Sequence, residues 1–185
     1  MSRRRIRVLG PVMAGLAAAA LSSCAAAPRQ VAAAVKVPLA LVPPGLGSSL
    51  TLAEYPGDRK AFANAGKDSL VYDGRLWEIH DGHLLVGTLQ IATVTPDISL
   101  TNSSDRSEVL SGVLDGVSPT TISQDGVEVA VTSAPQRTLF VWFGRTVFEV
   151  LQLDDARVNP EQVLGQVISY QLQTGLLHPE PVPRQ

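Results

Sequence analysis

Cysteine is nearly missing from this chain of 185 residues: Cys24 stands alone, so no internal disulfide can form and no pair of thiols can hold a metal or run redox exchange. Long apolar runs are missing too. The longest uncharged stretch runs from Val8 to Pro28, and its apolar heart, Val8 to Leu21, spans 14 residues. A membrane-crossing helix needs about 20, and Gly10, Pro11 and Gly15 interrupt this one further. The motifs of several enzyme classes are absent: there is no Gly-x-Ser-x-Gly, no His-Glu-x-x-His and no Gly-x-x-x-x-Gly-Lys. Nor is there an excess of positive charge. Four of the 15 basic residues are Arg3, Arg4, Arg5 and Arg7, and the chain from Cys24 onward carries 11 basic against 17 acidic side chains, a net charge of −6. That excludes a nucleic-acid partner, which requires a positive footprint. At 45% hydrophobic and 17% charged, the chain is too apolar to remain disordered, and its length fits one domain.

The N-terminus carries the clearest signal. Its basic start and 14-residue apolar run fit the n-region and h-region of a signal peptide over residues 1–23. At its end, Leu21-Ser22-Ser23-Cys24 resembles the lipobox of bacterial lipoproteins: an aliphatic residue, two small residues, then cysteine. The resemblance implies that Cys24 is the lipid attachment site, alkylated with diacylglycerol after cleavage just before it. Two acyl chains hold a protein stably where one does not. The expected location is therefore the extracytoplasmic face of the cell membrane, anchored by lipid. The use of 12 Arg against 3 Lys, with abundant Ala and Val, points to an actinobacterial composition.

Residues 24–47 read as the lipidated N-terminus and a flexible tether, because Pro28, Pro38, Pro43, Pro44, Gly45 and Gly47 break every period. Residues 178–185, with three prolines, read as a disordered tail. Between them, residues 48–177 form the single domain. Asp73-Gly74, Asp81-Gly82 and Asp125-Gly126 each separate β-prone runs and predict two-residue hairpins. The first two give a meander of Asp68 to Tyr72, Arg75 to His80 and His83 to Val94. The third joins Thr120 to Gln124 with Val127 to Thr132. Thr138 to Phe143 and Thr146 to Leu153 form a fourth hairpin around Gly144-Arg145, apolar on both faces and hence central and covered on each side. Helices are predicted from Ser104 to Asp115, with Ser104 as cap, and after Asn159-Pro160, with Gly175 as stop. A short helix is also predicted from Asp58 to Ala65. The fold class is α+β: an antiparallel β-meander and hairpin sheet with two helices packed against a face, a plan similar to that of PsbP-like actinobacterial lipoproteins.

The hairpin register supplies one candidate site. With Asp81-Gly82 as the turn, His80 and His83 face each other on one side of the sheet and Glu78 lies two residues back, a ligand set suited to zinc or non-haem iron. The opposite face would take Leu70, Tyr72, Trp77, Ile79, Leu84 and Val86 as core. The same three polar residues also read as a solvated hairpin tip that binds nothing, so no metal and no cofactor is assigned. Phe140, Trp142, Phe143 and Phe148 fit either a core or the wall of a cavity, and Asp154-Asp155 reads as a solvated loop before a helix. The sequence therefore leads to a non-catalytic binding or accessory domain, with no catalytic residue, whose partner is an envelope protein or an apolar ligand. Its rivals are a metal-binding protein built on Glu78, His80 and His83, and a carrier of an apolar small molecule or lipid.

Overall fold

The computed structural model describes residues 34–47, 49–55, 70–115, 117–154 and 157–177. The signal peptide, Cys24, the helix expected at Asp58 to Ala65 and the tail at 178–185 lie outside the described residues. Seven strands form one sheet: β1 (Leu50–Glu54), β2 (Val71–Asp81), β3 (Leu84–Val94), β4 (Thr120–Gln124), β5 (Val127–Ala134), β6 (Arg137–Phe143) and β7 (Val147–Leu153). Their order across the sheet is β1-β2-β3-β7-β6-β5-β4, and every pair is antiparallel. Helix α1 (Ser103–Leu114) follows β3, and α2 (Pro160–Thr174) follows β7. The α+β plan thus stands, with two meanders joined where β3 pairs β7.

Contrary to expectation, the helices do not share one face but lie one on each. Along β7, Val147, Leu151 and Leu153 pack into one core with Val163, Leu164, Val167 and Ile168 of α2, while Phe148 and Val150 pack into a second core with Val109 and Leu114 of α1. Alternate residues of a strand point to opposite faces, so the helices lie on opposite sides of the sheet. β6 and β7 are buried on both sides because both sides are covered, as the apolar residues on both of their faces require.

The hairpin expectations divide. Asp125 and Gly126 both take positive φ, at 51° and 82°, between paired Gln124 and Val127, the geometry of a type I′ turn. The β6–β7 hairpin forms, but its turn falls one residue later than expected, at Arg145 and Thr146: Phe143 pairs with Phe148 and Gly144 N–H donates to the Val147 carbonyl at 2.8 Å. Asp73-Gly74 makes no turn: β2 runs through it from Val71 to Asp81, with a bulge between Val71 and Asp73. The reason is tertiary. Asp73 N–H donates to Thr93 Oγ1, Thr93 Oγ1 donates to the Asp73 carbonyl, and Asp73 Oδ2 accepts from Val37 N–H at 3.0 Å. An aspartate satisfied in extended backbone gains nothing from turning.

Helix α2 begins and ends where its sequence says: Asn159 Oδ1 accepts from the N–H of Glu161 and Gln162, and Gly175 closes the helix at φ 69°. The cap of α1 is Asn102 rather than Ser104, since Asn102 Oδ1 accepts from Ser104 N–H. The tether is shorter than read. Val37, Leu41 and Leu46 are buried in the α2-side core, and a 3-10 turn spans Leu39–Leu41. Prolines had erased any period there, but burial of three apolar side chains needs none. No helix among the described residues is long and apolar enough to cross a membrane.

Candidate functional site

The proposed metal hairpin has a different register. Gly82, at φ 60°, takes the first central position of the β2–β3 turn and His83 the second, so Asp81 pairs with Leu84 and His80 with Leu85. A glycine in that first position is the signature of a type II′ turn, and moving the turn one residue along the chain moves the partner of His80 from His83 to Leu85. A second shift, between Ile79 and His80, leaves Val86 bulged. The structure brings Glu78 and His80 together, with Oε2 and Nε2 3.0 Å apart and both side chains part-exposed, and places His83 at the exposed tip. Among the described residues no group of three or more His, Cys, Asp or Glu is arranged to hold a metal. Of the face expected to be core, Trp77, Ile79 and Val86 are buried, whereas Tyr72 and Leu84 are exposed.

The most unusual group is a carboxyl that no local motif marks. Glu149 sits in the middle of β7, fully buried on the α2 side of the sheet, where it pairs with Trp142 of β6. Gln171 of α2 reaches it. Gln171 Nε2 donates to Glu149 Oε2 at 2.5 Å and to the Leu41 carbonyl at 3.1 Å, and Gln171 Oε1 accepts from Trp142 Nε1–H at 3.2 Å. Glu149 Oε1 is buried with no partner among the described residues. Burial pushes its pKa from an ordinary 4.5 up to about 8, against smaller lowering contributions from Gln171 and Trp142. At neutral pH it is therefore a neutral acid. The arrangement ties the N-terminal segment, two central strands and α2 together, but it is sealed from any substrate.

Two surface grooves flank the sheet. One, of about 540 Å³, opens beside the N-terminus of α2. Its floor is Ile122, Val131, Phe140 and Val158; its rim is Ser133, Thr138, Asn159 and Glu161. The other, of about 280 Å³, lies between α1 and the sheet, over Leu110, Ala130, Val141 and Phe143. At its mouth the Arg106 guanidinium stacks 5.6 Å from the Phe143 ring centre and Arg106 Nε donates to the Leu100 carbonyl. Phe140 and Phe143 thus each touch a groove, while Trp142 and Phe148 are core. Asp154 is engaged by Arg137 and Gln152, and Asp155 lies outside the described residues.

No family model, curated protein or solved structure matches this chain.

Proposed function

We propose that this chain is an extracytoplasmic lipoprotein, held at the cell membrane through diacylglycerol on Cys24, whose domain binds a small amphipathic molecule without chemistry. The observation that carries the binding reading is the 540 Å³ groove, within the range of small-molecule sites and built with an apolar floor under a hydrogen-bonding rim. A non-catalytic role is supported by where the one strongly perturbed carboxyl lies: Glu149 lines neither groove and has no exposed atom to offer a substrate. The anchor rests on the basic start, the apolar run and Leu21-Ser22-Ser23-Cys24. Similarity to PsbP-like lipoproteins belongs to the same proposal, supported by an antiparallel sheet carrying a helix on each face.

The test is native mass spectrometry of the full acylated protein extracted in mild detergent. An apolar or amphipathic molecule should travel with the wild type, and Thr138→Trp, which fills the groove from its rim, should release it. An empty wild-type groove, or a bound molecule indifferent to Thr138→Trp, refutes the reading.

A further inference from the structure

The antiparallel order gives the sheet two distinct ends. At one, which we call proximal, β2, β5 and β7 begin and β3, β4 and β6 finish. The chain joins the sheet there, where Val37 N–H meets Asp73 Oδ2, and α2 finishes there, with Leu177 packed over Gly144. The β2–β3 turn with His83 and the start of α2 lie at the other, distal end. Only residues 25–33 separate Cys24 from Ala34. Nine residues can span at most roughly 35 Å, whatever their conformation. The 11-residue strands β2 and β3 are themselves about 35 Å long. The proximal end therefore lies within reach of a bilayer over most of that range; the distal end reaches it only at the limit, with those residues drawn out along the whole sheet.

The side chains at the proximal end match that position. Val35, Leu39, Tyr72 and Leu176 are 37–56% exposed there; Leu84 and Leu85 beside the distal turn are 51% and 55% exposed, so the short reach from Cys24, and not exposed apolar area, is what selects the proximal end. Lys36 and Arg145 are exposed beside them. Tyrosine suits a membrane interface because its ring is apolar and its hydroxyl is not, and basic side chains can meet lipid phosphates. Asp97 and Asp125 share this end, so the fit is apolar and aromatic rather than a field of positive charge.

We infer that the proximal end of the sheet is a docking surface for the phospholipid headgroup layer, with Val35, Leu39, Tyr72 and Leu176 seated in it. The inference rests on the reading of Cys24 as acylated. Its consequence is orientation: α2's N-terminal groove is turned away from the membrane and faces the medium.

The full acylated protein, reconstituted into phosphatidylcholine–phosphatidylglycerol vesicles, tests this. Acylation leaves Cys24 without a thiol, so a bimane label goes only to Thr146→Cys in the proximal β6–β7 turn or to His83→Cys in the distal turn. Shallow nitroxide-bearing lipids should quench the Thr146 label several-fold more than the His83 label. Tyr72→Ser with Leu176→Ser should reduce that difference. Equal quenching at the two turns, or a difference unmoved by the double substitution, overturns the docking surface. So does a Thr146 label shielded from both lipid quencher and aqueous iodide, which would place a protein there. The intact mass separates the two ideas: if Cys24 carries no diacylglycerol the lipoprotein reading falls and this inference with it, whereas an acylated protein with equal quenching defeats the inference alone.

Discussion

Glu149 puts a carboxyl where the neighbouring residues of β7, Val147, Phe148, Val150 and Leu151, are all buried apolar side chains. In the unfolded chain that carboxyl ionises near pH 4.5; in the folded protein it holds its proton to about pH 8. Between those values the native state binds one proton more than the unfolded state, so stability falls as pH rises. The contribution is fully present below about pH 4.5 and lost by about pH 8, with a slope near 1.4 kcal/mol per pH unit at most. Glu149→Gln keeps the shape and removes the titration. Urea unfolding of this variant between pH 5 and 8 should therefore show a shallower fall of stability than the wild type, and the variant should be the more stable of the two above pH 8. Identical slopes would show that Glu149 does not hold its proton in the core. The single charged letter in a run of apolar ones was visible in the sequence; which face of β7 it occupied, and that Gln171 and Trp142 would meet it, was not.

Elements differ in how far their own residues settle them. Helix α2 is specified locally, by Asn159, Pro160, Gly175 and a repeating apolar stripe, and it forms as read. The Asp125-Gly126 turn is settled the same way. Asp73-Gly74 is not, because hydrogen bonds from Thr93 and Val37 outweigh a dipeptide preference. The seam between the two meanders depends on a residue of a different sort. Gly87 of β3 pairs with Leu153 of β7, and a Cβ at that position would come within 2.3 Å of the Gln152 carbonyl oxygen and 2.7 Å of Leu153 Cδ2. The first of these is backbone, so β3 and β7 would have to part. Gly87→Ala should destabilise the protein by ~1–3 kcal/mol, the usual range for overpacking, whereas Gly112→Ala, with open space around it, should not. Thermal melts of the two variants decide this; equal melting temperatures would mean the seam has slack.

The whole molecule is held together by contacts distant in sequence. The bond from Gln171 to the Leu41 carbonyl spans 130 residues, and the one from Val37 to Asp73 spans 36. They draw a proline-rich segment that looks like linker into the core and fix where the chain leaves the domain toward Cys24. Cys24→Ala should abolish incorporation of labelled fatty acid and leave precursor uncut or protein released to the medium, while the circular dichroism spectrum of the domain stays mixed strand and helix. A variant that still partitions with membranes at mature size would exclude lipidation as the means of attachment.

Features that depend on neighbours in the chain are legible in the residues themselves: the α2 caps, the type I′ turn, the two-sided burial of β6 and β7, and the lipobox-like run before Cys24. Each of these is a matter of φ preference, side-chain spacing or local chemistry, which travels with the residues. Only the folded molecule settles the register that pairs His80 with Leu85 instead of His83, the continuity of β2 through Asp73-Gly74, the burial of Val37, Leu41 and Leu46, and the placing of the helices on opposite faces. The last three follow from contacts between residues tens of positions apart, which no local pattern encodes; the same kind of contact, from Gln171 of α2, surrounds Glu149 on its central strand.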